Sequence, residues 1–517
     1  MSDQPENGSP YRSPSSTANT PGLVGASTPE PDQQLSVGEK VGYGLGDTAS
    51  NLYWKLFENF QLYFYTDVFG IGAASAATMF FVTKLWDAFN DPMVGFISDR
   101  TKTAWGRFRP YLIWMSIPFA ITGMMTFYTP DLSANGKLIY AYITYTLVFM
   151  AYTAVNIPYG ALMGVISSNS LERTSVSTYR FVLAFLGGLV VQTCTEPLVA
   201  FFGNTLGNPT IAIVDGVEVL VPDKQVGFFW TVVCYAVIAM ILFWITFATT
   251  RERVQPVQSK NNRFMSDVRD LLGNRPWLVL LGVGLFQILA DWTRGSAISY
   301  YFTYYVGSEF GWFLATATIA GILGMLMTKP LTQAFGKKNL LIAMNIAKAV
   351  LTALFFMLGP EQVYLMYTLN IVMAFITGPI PILLWAMYAD VADYSEYQNN
   401  RRATGLVFAA ATFSQKMGSA LGAAVPGWTL AYFSFVAPID GIQQTQTDQT
   451  IDGIILMMSL IPAVLMFGAI FALFAYNLTE DKMKQIEAEL KRRKQAEKGN
   501  ETLLPNQTDS NSPGSGE

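Results

Sequence analysis

Residues 84–110, KLWDAFNDPMVGFISDRTKTAWGRFRP, join an apolar segment to a strongly basic connection. The apolar segment, residues 72–99, is long enough to cross a membrane as a helix, which needs about 20 residues. It nevertheless carries Lys84, Asp87 and Asp91, three charged side chains that are costly to place in lipid. A long apolar segment followed by Arg and Lys is typical of a transmembrane helix that ends in the cytoplasm.

Apolar segments of the same kind repeat along most of the chain. In lipid only helices and closed barrels satisfy every backbone polar group, and segments this long exclude the short alternating strands of a barrel. We therefore predict an all-α membrane protein with twelve transmembrane helices in two six-helix halves. The predicted segments are 39–67, 72–99, 110–129, 138–165, 176–203, 226–249, 277–305, 310–334, 339–359, 362–389, 403–433 and 452–477.

The composition of the chain also indicates a membrane protein. Hydrophobic residues make up 51% of the 517 residues and charged residues only 14%, against about 25% charged residues in soluble domains. A formal net charge of −4 gives no indication of nucleic-acid binding. The absence of His excludes His metal sites and His proton relays, and Cys194 and Cys234 match no zinc or redox spacing.

Lys and Arg are unevenly distributed between the connections. Connections after odd-numbered segments carry only Lys137 and Lys224. By the positive-inside rule, this bias predicts that both termini lie in the cytoplasm. The basic residues that follow even-numbered segments are Arg100, Lys102, Arg107, Arg109, Arg173, Arg251, Arg253, Lys260, Arg263, Arg269, Arg275, Lys337, Lys338, Arg401 and Arg402.

Polar stretches divide the chain into six predicted regions. The longest polar connection separates two halves with six helices each, an arrangement typical of secondary transporters with a central site. The regions are a disordered cytoplasmic tail (1–37), an N-terminal half (38–250), a central cytoplasmic loop (251–276), a C-terminal half (277–478), a cytoplasmic amphipathic helix (479–496) and a disordered tail (497–517).

The two aspartates of the second segment form the first candidate site. Asp87 and Asp91 lie four residues apart, so they share one helix face with about 6 Å between them along the axis. Two like charges in lipid call for a positive charge between them, which suits a monovalent metal ion or a proton. Asn90 of the same motif is assigned to this cation site, and Lys84 can neutralise one carboxylate. The alternative is a purely structural ion-pair network.

The first segment carries a single polar stripe, which predicts one wall of a cavity. Asp47 and Asn51 belong to this stripe. Lys55 and Glu58 continue it, and the alternative for these two residues is a local ion pair that serves packing.

Further candidates lie in the fourth, fifth and eleventh segments. The motif YTAVNIPYG begins at Tyr152, and its Thr153 can offer an oxygen to a cation, while Asn156 can both donate and accept hydrogen bonds. Arg180 and Lys416 are candidate donors to a ligand. Their distances from the helix ends place Asn51, Asp87, Thr153, Asn156 and Lys416 in the middle third of the membrane, so these side chains can meet around one cavity.

The remaining charges within the segments are harder to interpret. Asp291 and Arg294 lie three residues apart in the seventh segment and are predicted to pair with each other. Glu196 and Lys348 have no role that the sequence suggests.

Four motifs together make the chain similar to a known family. The stretch at 84–110, with YTDVFG, VNIPYGAL and ADVADYSEY, closely resembles the glycoside–pentoside–hexuronide:cation symporters of the major facilitator superfamily. The resemblance covers about residues 38–495.

This resemblance implies roles for individual residues. Asp87 and Asp91 correspond to the carboxylates that bind the coupling cation in the family, and Thr153 to a hydroxyl that assists them. Arg180 aligns with a sugar-contacting arginine, and Lys416 aligns with the lysine of the eleventh helix.

The chain differs from the melibiose carrier of this family at three positions. That carrier has carboxylates where this chain has Asn51 and Asn156, and an aromatic residue where it has Gly160. The motifs YGLGDTASN and VNIPYG are more similar to the glucuronide and pentoside branches. Amides in place of carboxylates favour an anionic sugar, as do the basic side chains Lys55, Arg180 and Lys416.

We therefore expect a secondary active transporter that couples a sugar or glycoside to Na⁺ or H⁺ by alternating access, with glucuronide- or pentoside-like rather than α-galactoside specificity. The aromatic rings of Tyr53 and Trp54 can stack on a sugar ring, and the alternative for each ring is a lipid-facing or core position. No cofactor besides the coupling cation and no nucleic acid is expected, and the location is the bacterial inner membrane. The predicted substrate-binding residues are Asp47, Asn51, Lys55, Tyr152, Asn156, Arg180 and Lys416.

Two alternatives to a transporter are open at this point. The aspartates of DAFND and ADVAD are similar to the Mg²⁺–diphosphate motifs of membrane prenyltransferases, and a sensor that binds sugar without moving it has the same sequence features. For the transporter, the basic connections 99–109 and 336–338 are predicted to close the cytoplasmic side through ion pairs to Asp99, Asp390 or Glu396. The alternative is that these loop charges are simply solvated.

Overall fold

The computed structural model describes residues 34–167, 170–214, 217–253, 272–399, 404–438 and 443–503. Most of the predicted tails, most of the predicted central loop, and Arg401 with Arg402 lie outside these residues.

Helices dominate the described part of the chain. Of the seventeen described helices, sixteen fall on the twelve segments predicted from the sequence, because several of these segments contain two helices. The first set is α1 (Val37–Tyr63, continued by a π-helical turn Phe64–Val68), α2 (Ala73–Arg100), α3 (Arg109–Trp114), α4 (Ser116–Thr126), α5 (Ala134–Val165), α6 (Ser170–Thr205) and α7 (Lys224–Thr249).

The second set begins after the polar connection. It consists of α8 (Arg275–Tyr300, continued by a π-helical turn Tyr301–Val306), α9 (Gly311–Leu326), α10 (Thr328–Phe335), α11 (Lys337–Leu354, continued by a 3-10 turn Phe355–Met357), α12 (Val363–Thr377), α13 (Ile380–Asn399), α14 (Thr404–Tyr432), α15 (Asp448–Met458), α16 (Leu460–Phe474) and α17 (Glu480–Leu503).

Several predicted spans are broken rather than continuous. The third span consists of α3 and α4, and the last of α15 and α16. Among the described residues, seven helical segments are long and apolar enough to cross a membrane, and an eighth if α9 and α10, which are bent by 54°, form one span. α1 and α2, with 27 and 28 residues, are also long enough to cross a membrane, but they are less apolar because they carry charged side chains of the candidate site.

A short β-hairpin was not predicted from the sequence. Strands β1 (Thr210–Val214) and β2 (Val217–Val221) pair antiparallel between α6 and α7. The sequence of both strands is rich in β-branched residues, and an Asp-Gly pair separates them, which is a typical hairpin signal. The strands are too short to appear in a search for membrane spans, so the all-helical prediction misses them.

Ordinary capping defines where several helices begin. The side chains of Ser36, Asp223 and Asn274 accept hydrogen bonds from backbone N–H groups in the first turns of α1, α7 and α8. Gly307 follows the π-helical end of the α8 segment with φ 75°, a left-handed conformation that glycine adopts without strain.

The helix α17 begins where the amphipathic helix was predicted. Its apolar residues Met483, Ile486 and Leu490 are buried and belong to the same core cluster as Tyr394 of α13. The helix therefore packs against the second set of helices.

The two sets pack against each other through a few helix pairs. α2 lies against α14, α6 lies against α9, and α1 lies against α8. Within the first set, α1 packs extensively on α6. At this contact the backbones approach closely, because a Cβ on Gly187 would lie only 2.8 Å from the carbonyl oxygen of Thr48. Small residues at such crossings are typical of membrane helices.

We expect Gly187→Ala to destabilise the protein. The added methyl group has to push α1 and α6 apart, and overpacking of this kind costs about 1–3 kcal/mol. The thermal unfolding temperature of purified protein checks this. Gly164→Ala in α5 is the control, because a Cβ there meets no atom within 4 Å; equal unfolding temperatures for the two variants would contradict the close-contact account.

Candidate functional site

Three helices bring four polar side chains together, and we call them the ion cluster: Asp87 and Asp91 of α2, Thr153 of α5 and Lys416 of α14. The Thr153 hydroxyl lies 2.7 Å from Asp87 Oδ1 and 3.2 Å from Asp91 Oδ1. The Lys416 ammonium donates to Asp87 Oδ2 at 2.9 Å and also contacts Asp91 Oδ2. The four-residue spacing of the aspartates lets both carboxylates face the same two partners.

The Lys416 ammonium lies where the sequence predicts a cation. This lysine was predicted to donate to the ligand, but the packing of α14 against α2 brings it onto the carboxylates instead. An ammonium that contacts two carboxylates provides the positive charge that buried like charges require.

Lys84 does not neutralise a carboxylate as predicted. Its Nζ lies 3.4 Å from the centroid of the Trp292 ring, and the rings of Trp54 and Phe149 lie 5.8 Å and 5.7 Å away. The ammonium also lies 3.5 Å from the carbonyl oxygen of Ser419. Cation–π contacts therefore hold this buried lysine, which turns toward α8 and α14. Trp292 had no signal in the sequence apart from its position beside an intramembrane charge.

A second group of polar side chains lies on α1 and α6. The Arg180 guanidinium donates to both carboxylate oxygens of Asp47, from Nη2 at 3.4 Å and from Nε at closer range. Asn51 Nδ2 donates to the backbone oxygen of Asp47 at 2.9 Å. Tyr43 and Tyr159 stack at 4.7 Å, and each hydroxyl donates to the backbone carbonyl of the other residue, which fixes α1 against α5 beside this ion pair.

An aromatic and amide group lies on α1 and α5. Asn156 Nδ2 donates to the Tyr152 hydroxyl at 3.0 Å, and the Tyr152 ring stacks on Trp54 at 5.9 Å. Trp54 therefore belongs to this group. Tyr53 does not, because it is fully buried and packs against Phe119 at 4.3 Å.

Two other candidate residues are Lys55 and Asn90. Lys55 Nζ donates to Glu58 Oε2 at 2.7 Å, which is the local pairing considered as the alternative. Asn90 is buried, and its Nδ2 has no hydrogen-bond partner.

The predicted Asp291–Arg294 pair does not form. Lys348 Nζ of α11 donates to Asp291 Oδ1 at 2.5 Å, and Gln287 Nε2 donates to Asp291 Oδ2 at 3.1 Å. Arg294 donates instead to Asn370 Oδ1 at 3.0 Å. Three-residue spacing permits pairing along a helix, but basic and polar side chains from neighbouring helices compete for these groups. This arrangement also gives Lys348 a partner.

The two sets of helices are joined at the end of the bundle that carries the β-hairpin, which we call the hairpin face. Asp67 accepts a hydrogen bond from the Tyr304 hydroxyl, and the Thr66 hydroxyl lies 2.6 Å from that of Tyr300. These four residues form what we call the latch, since α1 and α8 belong to different sets.

Glu196 makes a second connection at the hairpin face. Its carboxylate accepts a hydrogen bond from the backbone N–H of Gly311 at 2.7 Å, at the start of α9. One turn earlier in α6, Gln192 Oε1 accepts from the Thr318 hydroxyl at 2.6 Å. A carboxylate at a helix start interacts favourably with the unpaired N–H groups there, which accounts for Glu196.

The opposite end of the bundle carries the basic connections around residues 100–109 and 337–338, and we call it the basic face. The ion pairs described at this face join residues of the same set. The Glu252 carboxylate accepts hydrogen bonds from the backbone N–H groups of residues 107–109. The Lys40 ammonium lowers the pKa of Glu172 through its hydrogen bond. The pairs are Glu39 with Arg253 at 2.6 Å, Lys40 with Glu172 at 2.9 Å, and Lys337 with Asp390 at 2.7 Å.

These contacts correct one expectation. Lys337 was predicted to help close the cytoplasmic side, but its partner Asp390 belongs to the same set of helices. The side chain of Asp99 lies outside the described part of the chain.

The bundle and its buried ion cluster have the features of a membrane transporter with a central site. A family model described as MFS/sugar transport protein matches residues 42–480. The chain belongs to this family and, within the major facilitator superfamily, to the glycoside–pentoside–hexuronide:cation symporters.

Known relatives cover nearly the whole chain. The inner membrane symporter YicJ of Escherichia coli (strain K12) is 36% identical over 88% of this chain and 95% of its own length. The isoprimeverose transporter of Lactiplantibacillus pentosus is 32% identical over 87% and 90%, and a glucuronide carrier protein homolog of E. coli is 31% identical over 90% and 98%.

A solved structure supports the fold. A D-xylose–proton symporter superposes with a TM-score of 0.55 at 14% identity, over 85% of this chain and 96% of the other. The protein is thus a multi-pass integral membrane protein, and it carries a sugar or glycoside together with a cation. The family consists of transporters, so the prenyltransferase and sensor alternatives have no support.

Proposed function

We propose that the ion cluster is the coupling site, and that the coupling cation replaces the Lys416 ammonium between Asp87 and Asp91. The supporting observation is that Lys416 and Thr153 each contact both carboxylates. Two positive charges compete for this position, because both are drawn to the same oxygens. A cation that enters, Na⁺ or H⁺, therefore releases the lysine.

The released lysine supplies the coupling to sugar. Once free of the carboxylates, the Lys416 ammonium has three N–H donors for a sugar hydroxyl. The cation then raises the affinity for sugar, and by linkage the sugar raises the affinity for the cation by the same factor. Lys416 therefore contacts the carboxylates in the absence of the cation and donates to the sugar in its presence.

We place both termini in the cytoplasm of a bacterium and the protein in its inner membrane. The excess of Lys and Arg at the basic face supports this orientation. The latch at the hairpin face then closes the periplasmic side, and the structure corresponds to the state that faces the cytoplasm.

The preferred substrate is a neutral glycoside that contains a pentose. An anionic sugar was favoured by Lys55, Arg180 and Lys416, but each of these side chains contacts a carboxylate. A sugar carboxylate would have to compete with an existing ion pair, whereas hydroxyl groups can join these pairs as additional donors and acceptors. Relatives of both kinds are known, one named as an isoprimeverose transporter and one as a glucuronide carrier homolog, so the choice rests on these ion pairs.

Counterflow in proteoliposomes tests this function. Vesicles loaded with unlabelled sugar take up labelled xylosyl glucose, a glucuronide or an α-galactoside from outside. We expect the neutral pentoside to give the largest exchange. Larger exchange with the glucuronide would overturn the neutral preference, and no exchange with any glycoside would overturn the transport function.

We expect Tyr304→Phe to open the periplasmic side. The change removes a hydrogen bond to a carboxylate, which contributes about 1.5–3 kcal/mol to the closed state, or roughly tenfold or more in the population of the open state. A cysteine at Asn51 should then react several-fold faster with an impermeant maleimide added to the periplasmic side of oriented vesicles.

The control for this measurement is Tyr305→Phe. The Tyr305 hydroxyl donates to the backbone oxygen of Leu358 at 2.7 Å, a contact within the second set. Its loss should leave the labelling rate unchanged. Equal labelling rates in the two tyrosine variants would show that the latch does not hold this side closed.

A further inference from the structure

We propose that Asp291 and Gln287 of α8 form a second hydroxyl-binding wall, which holds the second ring of a two-ring glycoside. Lys348 of α11 orients the Asp291 carboxylate and is a positioning residue. This inference rests on the proposed transport of a glycoside and assigns the part of the site that receives the second ring.

Asp291 and Gln287 have hydrogen-bond acceptor positions that no donor fills. Lys348 donates to one oxygen of Asp291 at 2.5 Å, and Gln287 donates to the other at 3.1 Å. An ionised carboxylate has roughly four acceptor positions, so two are unfilled. Gln287 Oε1 is also buried and has no hydrogen-bond partner, which is rare for an acceptor in a folded protein. Three acceptor positions on adjacent turns suit the hydroxyl donors of a sugar.

The exposed fractions of Lys348 and Asp291 indicate which of the two side chains a ligand can reach. The side chain of Lys348 is 10% exposed, whereas that of its partner Asp291 is 37% exposed. The ammonium is thus buried among the helices while the carboxylate is accessible, as expected of a charged side chain that lines a water-filled cavity.

Neighbouring residues place this part of α8 beside α1 of the first set. Trp292, the next residue, meets Trp54 of α1 edge to face at 5.3 Å. Gly295, one turn after Asp291, approaches Glu58 of α1, with 3.4 Å between its Cβ position and Glu58 Cγ. This face of α8 is therefore directed toward α1, which carries Asp47, Asn51 and Trp54 of the groups described above.

The chemistry favours a hydroxyl-rich ligand over a second cation. Lys348 already neutralises Asp291, so an added metal ion would have to displace a buried ammonium from a single carboxylate. Hydroxyl groups need no such displacement, because they donate to the free lone pairs.

The position of Trp54 suggests the size of the ligand. Its ring contacts Tyr152 of the aromatic and amide group on α1 and α5, which we call the first wall, and Trp292 beside the second wall. A ligand that reaches both walls has to extend past this ring, which calls for two sugar rings rather than one.

Binding of a two-ring and a one-ring sugar to purified protein tests the inference. Xylosyl glucose and xylose are titrated by calorimetry at saturating cation concentration. The variant Asp291→Asn combined with Lys348→Met removes both charges together, so neither is left unpaired. We expect the dissociation constant for xylosyl glucose to rise at least tenfold and that for xylose to change less than twofold.

A second variant keeps the ion pair intact. Gln287→Leu removes only the acceptor without a partner and should raise the dissociation constant for xylosyl glucose several-fold. Asp390→Asn with Lys337→Met is the matched control, because this Lys–Asp pair lies at the basic face.

The outcomes separate the two proposals. Unchanged affinity for xylosyl glucose in both α8 variants, or equal losses for the two sugars, would overturn the second wall while leaving glycoside transport standing. A wild-type protein that binds no glycoside would overturn the transport function and the second wall together.

Discussion

Asp87→Asn is expected to abolish cation-driven accumulation of sugar. The carboxylate shares Thr153 and Lys416 with Asp91, so its loss removes half of the cation's anionic ligands. In this variant Lys416 still pairs with Asp91, so the ion cluster carries no net negative charge to attract a cation. Transfer of one positive charge gains ~2.3 kcal/mol per 100 mV, enough for roughly 50-fold accumulation, and a carrier that cannot hold the cation loses this driving force.

The measurement is uptake of labelled sugar into vesicles under an imposed cation gradient. The internal concentration should rise only to the external level in Asp87→Asn. Asp452→Asn in α15, which changes a carboxylate outside the ion cluster, should accumulate sugar as the wild type does. Normal accumulation in Asp87→Asn, with equal protein in the membrane, would remove Asp87 from the cation site.

Lys416→Met is expected to separate exchange from accumulation. Methionine fills a similar volume without the ammonium, so the cation has no competitor and should bind more tightly. The sugar affinity should no longer depend on the cation, because the residue that responds to the cation is gone. Counterflow therefore persists while accumulation driven by a cation gradient is lost.

Sugar dissociation constants with and without cation, together with counterflow, check this expectation. Lys338→Met is the control, since the Lys338 ammonium donates to the backbone oxygen of Tyr476 at 2.5 Å, away from the ion cluster. If cation still raised the sugar affinity of Lys416→Met as in the wild type, Lys416 would not be the coupling residue.

The sequence predicts those parts of the site that depend on spacing along one helix. Asp87 and Asp91 share a face because they are four residues apart, and the polar stripe of α1 follows the same rule. Contacts between helices are different, because the rotation and depth of each helix depend on packing with its neighbours. Lys416 and Lys348 therefore had partners that no spacing could identify.

The fold, like the site, could be predicted from the sequence only in part. Long apolar segments and the distribution of basic residues predict the helices, since both features reflect the membrane as a solvent. The breaks within spans, such as that between α3 and α4, and the β1–β2 hairpin arise from local backbone geometry over a few residues. Patterns averaged over about 20 residues cannot detect features of that size.

The central claim is that a cation in the ion cluster drives the accumulation of sugar. The most direct test uses proteoliposomes in which inward gradients of Na⁺, Li⁺ and H⁺ are imposed one at a time, with labelled xylosyl glucose outside. We predict that at least one gradient concentrates the sugar inside and that collapse of this gradient abolishes the effect. Uptake that never exceeds the external concentration, whichever gradient is imposed, would contradict the account.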